Sequence, residues 1–212
     1  MQSLADRKKK VRAIVKILQK INPRPKIALA YSTSWELVVA VQLSAQCTDK
    51  KVNEVTPALF KKYPTLSAYA DADPAEFNKD IRQITFHNNK TRNIIAAAKK
   101  VRGEFKGRLP NTMEEMTSLP GMGRKSANII LSLVHKVYVG IPVDTHVRRL
   151  SKQLGLTEHT DPDKIERDLL EIVPKEYWPF FNFLLVDYGR TYCPARPHDH
   201  VKKGCPLAKF YV

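Results

Sequence analysis

The chain has 212 residues, 43% of them hydrophobic and only 8 of them glycine, a length and composition that bury a core as one large domain or two small ones. Lysine and arginine number 36 against 21 acidic residues, a formal charge of +15; that surplus points to a polyanionic partner, nucleic acid first, with a merely basic soluble protein as the bland alternative. Three cysteines are too few for a disulfide scaffold, and no apolar run approaches the length of a membrane span.

The amino terminus, MQSLADRKKKVRAIVKILQKI, is interrupted by lysines throughout and does not read as a secretory signal. An amphipathic, arginine-containing start also fits an organellar transit peptide. However, Val11, Ile14, Val15, Leu18 and Ile21 fall on one helical stripe, with Asp6 as N-cap, so a folded helix is predicted. Without a signal, a reducing intracellular compartment is expected.

In TSWELVVAVQLSAQ, Thr33 and Glu36 have capping-box spacing, and the apolar residues run nearly all round, as in a central buried helix. Asp49 is read as the cap of a helix to Tyr63, with Pro57 inside it. Helices are predicted over 74–82 and 91–103. NTMEEMTSLPGMGRKSANIILSLVHK reads as a short helix, a glycine turn and a longer helix with Ala127, Ile130, Leu131 and Val134 inward. Asp144 precedes a helix to about Leu154, Asp161 and Pro162 open another as N-cap and N1, and 175–189 forms the last. No alternating strand pattern occurs, so the fold is predicted to be all-α.

LPGMGRK is the most informative stretch. Two glycines one residue apart join two helices, and successive amides of such a turn form a phosphate-binding nest at the start of the second helix. An ordinary tight connection fits "PGMG" equally well. Lys125 lies in the first turn of the following helix, where the helix dipole and burial would lower an ammonium pKa and leave a nucleophilic amine; one more phosphate-binding lysine is the bland reading. Asp144, in IPVDTHVRR, is placed by one helix and a return loop back towards the hairpin, although Asp before a helix is also an ordinary N-cap.

LPGMGRKSANIIL followed by VDTHVRRL resembles the helix–hairpin–helix/Gly-Pro-Asp superfamily of DNA glycosylases, and LSAQCTD, HNNKTRNII and LLVDYGRTYCPARP resemble its endonuclease III branch. The resemblance covers about Trp35 to Cys205. It implies a two-domain helix–hairpin–helix glycosylase fold: a six-helix domain over 28–137, a second domain of 1–27 plus 138–212, and the DNA-binding cleft between them. It also implies a bifunctional enzyme of base excision repair, a hydrolase and lyase acting on oxidised pyrimidines of the thymine glycol type flipped out of duplex DNA.

Lys125 would attack C1′ and form the Schiff base, Asp144 would assist as an ionised carboxylate, and the strand would be nicked by β-elimination. Relatives that only hydrolyse the glycosidic bond have another residue type at the lysine position. Further along, Gln46 corresponds to a residue filling the gap left by the flipped base. Phe86 corresponds to a wedge that is usually aliphatic, and His146 to a third inserted residue. Gly121, Gly123 and Arg124 belong to the phosphate-binding hairpin. The alternatives are a monofunctional mismatch glycosylase acting on thymine, uracil or adenine, and a non-catalytic helix–hairpin–helix DNA-binding protein. A monomer without membrane association, cytoplasmic and nucleoid-associated, is implied.

CPARPHDHVKKGC, Cys193 to Cys205, departs from the family. Most relatives hold a four-iron, four-sulfur cluster with the pattern C-x6-C-x2-C-x5-C. Counting from Cys193 puts His200 and Lys203 at the second and third positions; counting from Cys205 puts Lys202 at the second and Tyr211 at the fourth. No cluster is expected. Cys193, His198, His200 and Cys205 are zinc-ligand types at a spacing that matches no common zinc motif, so neither zinc nor a Cys193–Cys205 disulfide is expected. Instead Arg196, Lys202 and Lys203 are read as a DNA-facing basic loop, with Leu207, Phe210 and Tyr211 packing where the metal would be.

Overall fold

The computed structural model describes residues 3–212, so Met1 and Gln2 of the amino-terminal stretch lie outside it. In chain order the α-helices are α1 (Leu4–Ile21), α2 (Ser34–Ser44), α3 (Asp49–Lys62), α4 (Leu66–Ala70), α5 (Pro74–Asp80), α6 (His87–Gly103), α7 (Met113–Thr117), α8 (Arg124–Ile130), α9 (Thr145–Gln153), α10 (Pro162–Ile172) and α11 (Phe181–Thr191). Among the described residues every regular element is helical and no strand occurs, as the lack of alternation predicts. None of these helices is long and apolar enough to cross a membrane. The chain divides into two compact units: Ala28–Val137 is one, and the other runs to Ile27 and resumes over Tyr138–Val212.

In the unit Ala28–Val137, α2 is the centre. Leu37 to Leu43 are all buried, because a helix apolar on every side must be surrounded. Its start is the predicted capping box: Thr33 Oγ1 accepts from the Glu36 amide at 3.1 Å, and Glu36 Oε2 from the Thr33 amide at 3.2 Å. The α3 cap is Thr48, not Asp49, since Thr48 is the residue outside the first turn. Helix α4 is absent from the six predicted because five residues are too few to show a period. It delivers Tyr69 into an aromatic cluster with Trp35, Tyr63 and Phe77. Helix α6 starts earlier than predicted, directly after Phe86. Helix α8 runs into a π-helical turn, Leu131–His135. The wider turn leaves Val134 half-buried, while Ala127, Ile130 and Leu131 are fully buried.

In the other unit, α1 buries Val11, Ile14, Val15 and Leu18 and leaves Ile21 exposed at its end. Its cap is Ser3 rather than Asp6; Asp6 lies within the first turn and accepts from the Ser3 hydroxyl at 2.6 Å. Arg7 Nη2 and Lys10 Nζ donate to the Leu156 and Leu154 carbonyls at 2.6 and 2.9 Å, beyond the end of α9. There cations offset the carbonyl-rich helix terminus. Phe181, Leu184, Leu185 and Tyr188 of α11 complete the core. That helix starts later than predicted because Lys175–Tyr177 forms a separate 3₁₀ turn, and the Trp178 indole donates to the Val173 carbonyl at 2.9 Å.

Candidate active site

The connection between α7 and α8 is fixed from inside. Leu119 and Met122 are buried, and the Met122 amide donates to the Leu119 carbonyl at 3.0 Å. Gln42 Nε2 of α2 donates to the Pro120 carbonyl at 3.0 Å, and Lys100 Nζ of α6 to the Ser118 carbonyl at 3.1 Å. The two hairpin glycines differ in what they do. Gly121 has φ +77°, and a Cβ there would stand 2.9 Å from Asn93 Cβ; its turn needs both the left-handed backbone and the missing side chain. Gly123, the N-cap of α8, has φ −86° and open space where a Cβ would be. Its contribution is a bare approach to the start of α8. Gly121→Ala is therefore expected to lower stability by about 1–3 kcal/mol and Gly123→Ala by less than about 1 kcal/mol, measured by thermal unfolding.

Arg124 and Lys125 are the first two residues of α8, and both are exposed. The burial expected for Lys125 is therefore not found, whereas Ala127, two residues on, is fully buried.

A pocket of about 310 Å³ is lined by Gln42, Gln46, Phe86, Lys90, Asn93 and Gly121, among others. Gln46 and Phe86 have φ values of +52° and +58°. Left-handed backbone costs a side-chain-bearing residue about 1–2 kcal/mol. Lys106 and Lys136 also adopt it, so strain alone identifies nothing. At Gln46 and Phe86 it coincides with a shared pocket, and Phe86 is 55% exposed, an uncommon position for a large apolar side chain.

Lys90, unremarked in the sequence, explains how this rim holds its shape. Its ammonium donates to the Leu43 and Ala45 carbonyls at 2.7 and 2.6 Å, closing the end of α2 just before Gln46. Burial pushes its pKa below the usual lysine value. Lys90→Met is expected to cost about 1–3 kcal/mol in urea unfolding, because both carbonyls lose their donor.

In the other unit Asp144 is the N-cap of α9: Oδ1 accepts from the Val147 amide at 2.8 Å. The cap occupies one carboxylate oxygen, and Oδ2 is not part of it. The segment leading to it is held by two buried polar residues. Glu166 Oε1 accepts from the Ile141 amide at 3.1 Å, and Asn182 Nδ2 donates to the Pro142 carbonyl at 2.9 Å. Neither was visible in the sequence, since each sits on a helix that reads as ordinary. His146 is half-buried and packs on α11, where a Cβ at Gly189 would lie 2.5 Å from its Nδ1.

Beyond α11, Arg196, Lys202 and Lys203 are all exposed. Cys193 and Cys205 are buried and free. A four-thiolate cluster does not fit: the chain has three cysteines, and Cys47 belongs to the other unit. At the counted position of the fourth cysteine, the Tyr211 hydroxyl donates to Cys193 Sγ at 2.8 Å. Leu207 is buried, and Phe210 and Tyr211 pack on the same core. The expectation of no metal at all is nevertheless unsupported. Ligand atoms of Cys193, His198 and His200 lie within 4.8 Å of one another. The tail folds back on itself, so irregular linear spacing does not keep these donors apart.

A helical hairpin with a bare glycine turn, followed by an exposed lysine, and an aspartate capping a later helix define the class. Residues 39–175 match the HhH-GPD superfamily of base excision DNA repair proteins. Endonuclease III of Synechocystis sp. is 44% identical over 92% of this chain and 90% of its own length, and that of Bacillus subtilis is 41% identical over 87% and 84%. A trapped endonuclease III–DNA covalent intermediate superimposes with a TM-score of 0.90 at 36% identity, over 100% of this chain and 96% of that one. A thermostable thymine-DNA glycosylase, at 20% identity and a TM-score of 0.80 over 96% and 95%, shares the fold. The chain belongs to the endonuclease III family within this superfamily.

Proposed function

We propose that the protein is a bifunctional DNA glycosylase and AP lyase of base excision repair that excises oxidised pyrimidines from duplex DNA. The observation that carries this reading is Lys125, an exposed amine in the first turn of α8 immediately after the hairpin, in a chain similar to an enzyme captured covalently on DNA. The hairpin of Gly121, Gly123 and Arg124 holds a backbone phosphate through amides, so binding there carries no sequence information. The exposed Arg196, Lys202 and Lys203 add phosphate contacts. Phe86 enters the stack as the wedge, and Gln46, on the same pocket, takes the space of the displaced nucleotide. His146 steadies the start of α9 through its packing on α11.

In the reaction, Lys125 gives up a proton to a general base, and its amine then bonds to C1′ as the glycosidic bond breaks and the base leaves with a proton. The sugar ring then opens to an imine. Loss of the C2′ proton expels the 3′ phosphate by β-elimination, and water releases the lysine. Asp144 stabilises the positive charge that develops at the sugar. The enzyme acts as a monomer, and its nucleoid location follows from its substrate.

The test uses duplexes carrying thymine glycol, an abasic site or a mismatch. The expected result is a strand nick without alkali, and a covalent complex under borohydride, on the thymine glycol and abasic duplexes. Base release without a nick would instead make the protein monofunctional. Tight binding with neither product would leave only a DNA-binding module.

A further inference from the structure

The tail after α11 gathers three metal-binding donors and sets a fourth, Cys205, against one of them. Cys193 Sγ lies 3.9 Å from His200 Nδ1, and Cys205 Sγ lies 3.4 Å from His198 Nε2. Ligand atoms of Cys193, His198 and His200 are all within 4.8 Å of one another. Around a tetrahedral zinc, bond lengths of about 2.0–2.3 Å place neighbouring ligand atoms about 3.3–3.8 Å apart. Cys205 lies outside the mutually close group and reaches it through His198, while the 3.9 and 3.4 Å separations are close to that spacing. They are too small for a four-iron cube, which must fit inside its ligand set with one ligand at each corner.

The orientation of His198 is a second, independent observation. Its Nδ1 lies 2.9 Å from the Arg196 carbonyl. A carbonyl only accepts, so Nδ1 carries the proton and Nε2, facing Cys205, keeps its lone pair. A backbone carbonyl holding the far nitrogen is how metal-binding imidazoles are usually fixed.

The backbone supplies a third. Asp199 Oδ1 accepts from the Val201 and Lys202 amides at 2.9 and 3.0 Å, and the Cys205 amide donates to the His200 carbonyl at 2.9 Å. The loop thus turns on its own bonds and returns Cys205 to His198. The Val212 amide then ties the tail to the Gln153 carbonyl at 3.0 Å.

We propose that Cys193, His198, His200 and Cys205 hold a single zinc ion in a closed, structural four-ligand site. Zinc suits a set of two thiolates and two imidazoles, and four protein ligands leave no open position for catalysis. Binding releases the two thiol protons to solvent. Cys205 then gives up its 3.3 Å hydrogen bond to the Tyr192 carbonyl, while Tyr211 and Arg149, at 2.8 and 3.6 Å from Cys193 Sγ, remain as donors to a bound thiolate. The ion braces the loop that carries Arg196, Lys202 and Lys203. This site does not depend on the proposed enzymatic activity.

The experiment is metal analysis of full-length reduced protein expressed with both zinc and iron supplied. It is followed by cobalt substitution, read through the visible bands of tetrahedral thiolate-bound cobalt. One zinc per chain and a tetrahedral cobalt spectrum are expected. His198→Ala and Cys205→Ser should lose stoichiometric metal while Lys209→Ala keeps it. His198→Cys, which retains a ligand, should recover it, and that recovery separates a lost ligand from a misfolded variant. Folded wild type that takes up neither ion, iron with sulfide in place of zinc, or full zinc retention in His198→Ala would each overturn the assignment.

Discussion

Lys125→Ala is expected to bind damaged duplex and leave it intact: no borohydride-trapped complex on thymine glycol or abasic DNA, and strand nicking reduced at least about 10³-fold, as for loss of a covalent nucleophile. Lys125 is exposed, and alanine is the better helix former, so folding should be unaffected. Lys125→Arg separates the amine from its charge. Arginine keeps a cation at the start of α8 but stays protonated, so it should bind DNA and fail in the chemistry. If Lys125→Arg nicked DNA at a tenth of the wild-type rate or better, the lysine would be reduced to a phosphate contact.

The same residue shows what a sequence reading can reach. The hairpin, the Thr33–Glu36 capping box and the Asp161–Pro162 helix start were legible because each is written within a few adjacent residues. The site also contains parts that only tertiary structure assembles. Gln42 meets the Pro120 carbonyl across 78 residues, and Lys90 reaches back 47 residues to the Leu43 carbonyl. In the sequence the first is one polar residue on an apolar helix and the second one lysine among many. The left-handed backbone at Gln46 and Phe86 is hidden for a different reason: neither residue type favours it, so no local preference announces it. The tail misleads in the opposite direction. Its ligand types were visible, but spacing along the chain was a poor guide once Asp199 turned the loop back on itself.

Asp144 is a helix cap in the structure and a catalyst by proposal, and two substitutions separate the two roles. Asparagine caps a helix as well as aspartate does. Asp144→Asn should therefore preserve the 2.8 Å bond to the Val147 amide and leave unfolding within about 0.5 kcal/mol of wild type. It removes the negative charge, so base excision should fall about 10²–10⁴-fold, the range for loss of a group that stabilises developing charge or moves a proton. Asp144→Ala removes the cap as well, adding a stability loss of about 0.5–2 kcal/mol. The measurements are single-turnover excision of thymine glycol and urea unfolding on the same preparations. A charge-stabilising role also predicts an asymmetry: nicking at a preformed abasic site, which requires no base departure, should suffer less than excision. Equal losses in both steps, with stability unchanged in Asp144→Asn, would move Asp144 from glycosidic bond cleavage to the imine chemistry. Full activity in Asp144→Asn would leave it a helix cap alone.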